Sequence, residues 1–129
     1  MLPMNMVEKE TMQLRGVMKQ HEPMSRHTSW RVGGAAERFY QPADLIDLQQ
    51  LLQQLPAQEP LFWLGLGSNL LVRDSGIRGT VICTSGVLNK IEWLTGNRVY
   101  VEVGLASPQV ARQTARRGLR GAEFLCGIP

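Results

Sequence analysis

Gly65, Leu66, Gly67, Ser68 and Asn69 follow directly on the apolar run Leu61-Phe62-Trp63-Leu64, and their types and spacing suit the holding of an anion. Glycine lets backbone approach a ligand closely and reach positive φ, so successive N–H groups can converge on one point. Ser68 and Asn69 add hydroxyl and amide donors. A diphosphate calls for that set of groups. The spacing is not GxGxxG, because Leu70 stands where a third glycine belongs, and no Gly-Lys-Ser/Thr follows as in a Walker loop. On spacing alone a tight strand-to-strand turn is the simpler reading and anion binding the alternative.

Other chemistry-bearing residues are weaker candidates. His21 has no partner at metal-ligand spacing, and His27 reads as a surface or hydrogen-bonded residue. Cys83 lies between Ile82 and Thr84 in an apolar run and reads as a core thiol; Cys126 reads as a packing residue. As they stand 43 positions apart with no CxxC pair, a zinc ribbon or a disulfide scaffold is excluded, and reduced thiols are the simpler state. Arg112, Arg116, Arg117 and Arg120 read as a solvated helix face whose charges favour its C-terminal end. Trp30, Trp63 and Trp93 read as core or interface aromatics, since no regular interleaving with basic residues suggests base stacking.

The elements that must position the loop follow from periodicity. All six methionines lie in the first 24 residues, where Val7, Leu14 and Met18 fit one face of a weak helix or extension that ends at His21-Glu22-Pro23. Residues 28–35 read as an extended entry to a Gly-Gly turn, and 37–40 as a short strand. Pro42 and Asp44 suit the start of a helix whose stripe is Leu45, Leu48, Leu51, Leu52 and Leu55. Residues 61–64, 70–72 and 80–84 read as strands. Residues 87–94 and the alternating Val99, Val101 and Val103 read as a hairpin through Thr95-Gly96-Asn97. A second helix starts with Ser107 as its cap and Pro108 behind it, and stops at Gly118. This order describes an α+β chain.

Composition narrows the function classes. At 129 residues, 43% hydrophobic and 19% charged, the chain can bury one core, and the 13 glycines and 7 prolines signal many turns. The net charge of +3 is a mild excess, short of a nucleic-acid-binding tail. No stretch approaches the roughly 20 apolar residues of a membrane-spanning helix, and Glu8, Lys9, Glu10 and Arg15 interrupt any signal-peptide core. The expectation is a cytoplasmic protein without membrane insertion.

Four blocks then arrive in one order: Thr28-Ser29-Trp30-Arg31-Val32-Gly33-Gly34-Ala35; Leu64 to Val72; Arg78-Gly79-Thr80-Val81-Ile82; and Gly118 to Pro129. Each alone is common, but jointly they are specific. From about Thr28 to Pro129 the chain resembles the flavin-binding half of the UDP-N-acetylenolpyruvoylglucosamine reductases. The resemblance implies an FAD-binding fold of the type shared with vanillyl-alcohol oxidase and its relatives (the PCMH type). It implies that the loop of Gly65, Leu66, Gly67, Ser68, Asn69 and Leu70 wraps the FAD pyrophosphate, with Gly127, Ile128 and Pro129 beginning the turn that lies against the flavin. The family's arginine, serine proton donor and glutamate come further downstream than Pro129, so no catalytic residue and no metal site is expected here.

The implied organisation is an extension over residues 1–27, a first FAD-binding subdomain over 28–84 and the start of a second over 85–129. The implied activity is that of an NADPH-using flavoprotein reductase of peptidoglycan precursor synthesis. Its substrate is a UDP-sugar, UDP-N-acetylglucosamine enolpyruvate, which becomes UDP-N-acetylmuramate; the chain is expected to be the front part of such an enzyme, inactive alone. The alternatives are a stand-alone flavin or nucleotide module, a small basic nucleic-acid-binding protein, and a related FAD-linked oxidase, the last weakened because no covalent-flavin histidine stands near the loop.

Overall fold

The computed structural model describes residues 13–129. Strands β1 (Val17–Pro23), β2 (Ala35–Gln41), β3 (Leu61–Leu64) and β4 (Ile77–Cys83) form one sheet in the order β1-β2-β4-β3. The β1/β2 pair is antiparallel, whereas β4 runs parallel to both β2 and β3. Helix α1 (Leu45–Gln54) connects β2 to β3. A separate hairpin of β5 (Ile91–Leu94) and β6 (Arg98–Val101) leads to helix α2 (Ser107–Arg116).

The central strand carries the logic of the sheet. Residues 79–83 of β4 are all buried, as expected of a strand covered on both faces. Side chains alternate between faces, so Val81 and Cys83 join Phe39, Met24, Leu64 and Val72 in one cluster, while Ile82 joins Tyr40, Leu48, Leu51 and Leu88 in the other. Helix α1 lies on the second face. Asp44 caps it, accepting from the Asp47 N–H at 2.8 Å, and the Arg15 guanidinium grips Asp44 at 2.6 and 2.7 Å. Only Leu48 and Leu51 of the leucine stripe are buried; Leu45 and Leu52 are exposed.

Asp47 itself is fully buried and holds three donors: the Arg15 N–H at 2.7 Å, the Tyr40 hydroxyl at 2.6 Å and the Ala43 N–H at 2.9 Å. It joins the residues before β1, strand β2 and the first turn of α1. Beyond α1, Glu59 accepts from the Arg38 guanidinium and from the Thr80 hydroxyl, tying the connection between α1 and β3 to β2 and β4.

Several sequence expectations are corrected. Residues 17–23 are a strand, not the end of a helix, because backbone pairing to β2 outweighs a loose apolar period; residues 1–12 lie outside the described residues. Residues 70–72 are not a strand. Val72 turns into the first core cluster, and the neighbouring Arg73 carbonyl accepts from Gly34 N–H. The hairpin's first strand begins only at Ile91, since Leu88 is drawn into the second cluster with a φ of 47°. Helix α2 starts one position earlier than expected: Ala106 holds the cap position, with no side-chain cap, and Ser107 is already helical. The Gly96-Asn97 turn, both residues at positive φ, closes the hairpin as expected. Among the described residues no helix is long and apolar enough to cross a membrane.

Candidate functional site

The site is built where β3 ends. Leu64 is buried, and its carbonyl accepts from both the N–H and the hydroxyl of Thr84 at 2.9 and 3.3 Å, fixing the end of β3 to the residue after β4. The chain then leaves the sheet through residues 65–69. Gly65 has open space around it, whereas Gly67 is packed, with a φ of 71° and the His27 carbonyl filling the place a Cβ would take. The Ser29 N–H donates to the Gly67 carbonyl at 3.0 Å. The two glycines therefore have different duties. Gly67 shapes the loop against its neighbour, and Gly65 presents bare backbone outward.

That neighbour is a 3-10 turn at Met24–Arg26 and the segment after it, residues 27–31. Between this segment and the loop runs an open cleft of about 610 Å³, with Arg26 and Arg31 on one wall and Gly65 and Leu66 on the other. A second cleft, of about 190 Å³, continues from Gly65, Leu66 and Ser68 to residues 103–108 and to Ile128 and Pro129. A third, of about 200 Å³, is lined by residues 63–70 and Pro129. Gly65 and Leu66 face all three. A molecule lying over Gly65 would meet two guanidinium groups on one side and the N-terminal end of α2 on the other, both of which favour negative charge.

The structure brings together most of the residues that the sequence singled out. Gly65, Leu66, Gly67, Ser68, Asn69, Leu70 and Pro129 line one cleft, and Ile128 lines the adjoining one. Gly127 ends the 3-10 turn Glu123–Gly127 and lines none of the three clefts. Arg26, Arg31, Ser85 and residues 105–107 line the clefts as well, outside the site residues that the sequence singles out. They reach the site through the sheet and the hairpin, and no local spacing signals them. His27 is hydrogen-bonded, with Nε2 2.9 Å from a Glu22 carboxylate oxygen.

Other expectations need correction. Cys83 is a core thiol, but Cys126 is exposed rather than buried by packing. Burial pushes the Cys83 thiol above its ordinary pKa. A thiol reagent is expected to modify Cys126 at once in the native protein and Cys83 only after denaturant is added; two fast thiols would place Cys83 at the surface. Of the core and interface readings of the tryptophans, exposure removes the core one for Trp30 and Trp63, while the Arg117 guanidinium covers Trp93, 4.3 Å from the ring centroid. Arg112, Arg116, Arg117 and Arg120 are all exposed. Among the described residues no group of three His, Cys, Asp or Glu could hold a metal ion.

Comparison with known proteins identifies the family. A family profile described as "FAD binding domain" matches residues 36–129. The UDP-N-acetylenolpyruvoylglucosamine reductase of Methylococcus capsulatus is 62% identical over 115 residues, covering 89% of this chain and 38% of that protein. The enzyme of the same name from Nitrosococcus oceani is 60% identical over 116 residues, covering 90% and 39%. Among solved structures, the UDP-N-acetylenolpyruvylglucosamine reductase of Thermus caldophilus matches with a TM-score of 0.59 and 28% identity, covering 89% of this chain and 38% of that one. The chain thus spans under two-fifths of the length of these relatives.

Proposed function

The chain belongs to the FAD binding domain family, and from that premise we propose that it holds the dinucleotide of FAD over Gly65 as the flavin-binding part of a UDP-N-acetylenolpyruvoylglucosamine reductase. The residues present fit the group. A Cβ placed on Gly65 would meet nothing within 4 Å, so the space beside its backbone is open to a diphosphate that a side chain there would obstruct. Ser68 adds a hydroxyl beside it, and Arg26 and Arg31 supply positive charge across the cleft. Ile128 and Pro129 border the end of the site nearest α2, where the isoalloxazine would begin.

A bound flavin supplies reversible two-electron chemistry, and the chain's own residues supply binding, orientation and exclusion of water. In the reductase reading NADPH is the hydride donor, the UDP-sugar enolpyruvate is the acceptor, and the reaction belongs to cytoplasmic peptidoglycan precursor synthesis. We further infer a first subdomain over 28–84, to which β1 adds an edge strand of the same sheet, and a second over 85–129, joined where β4 passes to the hairpin. Because it spans so little of its relatives' length, this 129-residue chain by itself is proposed to hold cofactor without completing substrate reduction.

The observation that carries the proposal is the convergence of three clefts on Gly65. Titration with FAD, ADP and riboflavin tests it. FAD and ADP are expected to bind with similar affinity, riboflavin much more weakly, and added salt should weaken ADP because its charge carries the contact. Absence of both FAD and ADP binding at about 1 mM, where only some 4 kcal/mol is needed, would overturn the reading. Tight riboflavin binding without ADP binding would overturn the assignment of the loop to the diphosphate.

A further inference from the structure

Glu22 and His27 are tied to the loop through the backbone. Glu22, on β1, is 6% exposed, and its carboxylate takes the His27 Nε2 at 2.9 Å, with Lys19 Nζ at 3.6 Å from the same oxygen. The His27 ring stacks on Phe39 of β2, with centroids 4.2 Å apart. A ring held at one edge by a buried carboxylate and on one face by a core aromatic is confined to one rotamer, and its backbone is held with it. That backbone is the wall of the cleft. The His27 carbonyl occupies the space beside Gly67, and two residues on, the Ser29 N–H binds the Gly67 carbonyl.

We propose that His27, anchored by Glu22, is a positioning residue that presses residues 27–29 against Gly67 and so presets the 65–69 loop for the diphosphate of a dinucleotide. The ligand in this statement rests on the FAD reading; the pressing of one segment on the other is a property of the chain alone. The anchor stays an anion at neutral pH, because the His27 hydrogen bond, ahead of the nearby Lys19 and Arg26 charges, holds the Glu22 carboxyl below its ordinary range despite its burial. Without the anchor the loop would sample open arrangements, and apparent affinity would fall by the fraction of time it spends in them.

Two readouts on the same samples test this: amide hydrogen exchange at Ser29, and ADP titration. His27→Ala is expected to lose protection at Ser29 and to weaken ADP by about tenfold or more, in step with the competent fraction. Glu22→Gln, which keeps an acceptor but loses its charge, should move both readouts the same way by less. His27→Gln places an amide N–H where Nε2 lies and should restore most of both. Leu51→Ala, in the other core cluster, should lower the denaturation midpoint yet leave ADP affinity unchanged. Wild-type Ser29 protection and ADP affinity in both His27→Ala and Glu22→Gln would overturn the proposal. So would an ADP loss that Leu51→Ala reproduces in full. If wild type binds neither ADP nor FAD, the cofactor reading falls, and Ser29 exchange still decides the positioning.

Discussion

Gly67→Val is expected to cost the chain both its cofactor affinity and much of its stability, whereas Gly65→Val should cost affinity alone. At Gly67 the φ of 71° lies in the left-handed region, where a β-branched residue is strained, and the His27 carbonyl leaves no room for a Cβ. Strain of about 1–3 kcal/mol adds to overpacking of about 1–3 kcal/mol. That sum, about 2–6 kcal/mol, is a large share of the stability of a domain of this size. To relieve the clash, the loop must part from residues 27–29, and the clefts around Gly65 lose their shape.

A Cβ placed on Gly65 meets nothing within 4 Å, and Gly65 is not among the glycines at positive φ, so valine there is expected to add little strain. Its side chain would stand where the diphosphate is proposed to lie. Thermal melts and ADP titrations of the two variants should therefore separate: Gly67→Val low in both, Gly65→Val near wild type in Tm but at least about tenfold weaker for ADP, a loss of some 1.4 kcal/mol. A Gly67→Val variant with wild-type Tm and affinity would remove Gly67 from the packing role given to it. Wild-type ADP affinity in Gly65→Val would move the diphosphate elsewhere.

Asp47→Ala is expected to destabilise by about 3–5 kcal/mol in sum, at about 1–3 kcal/mol for each donor left without its acceptor. The Arg15 N–H, the Tyr40 hydroxyl and the Ala43 N–H would all lose their acceptor, the hydroxyl in a fully buried place and the two backbone groups in part-buried ones. Tyr40→Phe removes only one donor and should cost less, about 1.5–3 kcal/mol for a hydrogen bond to a charged group. Urea denaturation of the two variants gives the comparison directly. Equal losses would mean that Asp47 acts only through Tyr40.

The same carboxylate sets an acid dependence. Burial pushes the Asp47 pKa up, but the hydrogen bonds from Arg15, Tyr40 and Ala43 outweigh it and leave the group below its ordinary value of 3.8. With the folded pKa lowered, the unfolded chain takes up the proton first. The stabilisation is therefore complete above about pH 4 and is lost as pH falls through the folded value. Glu22 shifts in the same direction through its His27 hydrogen bond. Between pH 5 and pH 3 the wild-type midpoint should fall, and it should fall less in Asp47→Asn, which has no charge to lose. On the alkaline side, burial ahead of the Asp47 hydrogen bond pushes the Tyr40 phenol up to about 12, so its ultraviolet titration should come late.

Much of the site was legible along the chain because its parts are adjacent in sequence. The run from Gly65 to Asn69 carries its own backbone chemistry, and the strand before it is a simple apolar tetrapeptide that the structure reproduces at Leu61–Leu64. The Gly96-Asn97 turn and the start of α1 behind Asp44 are likewise set by nearest neighbours. Local chemistry of this kind needs no knowledge of the fold.

What the tertiary structure alone decided are the outcomes of long-range pairing. Residues 17–23 carry a helix-like scatter of apolar side chains, and they form a strand because β2 offers a ladder of backbone partners. Leu70, Leu71 and Val72 have strand composition, but Val72 is taken by the core and the ladder is abandoned. Gly65 and Gly67 are indistinguishable by type, and only the approach of His27 makes one a packing residue and leaves the other bare. Arg26 and Arg31 enter the site because the 24–31 segment, which leaves β1 beside the start of β2, packs through Met24 against the first core cluster and so meets the loop after β3. Type and spacing encode what a segment can do over a few residues. Which of those capacities is used depends on contacts between residues distant in sequence, since there the gain from burial and pairing exceeds any local preference.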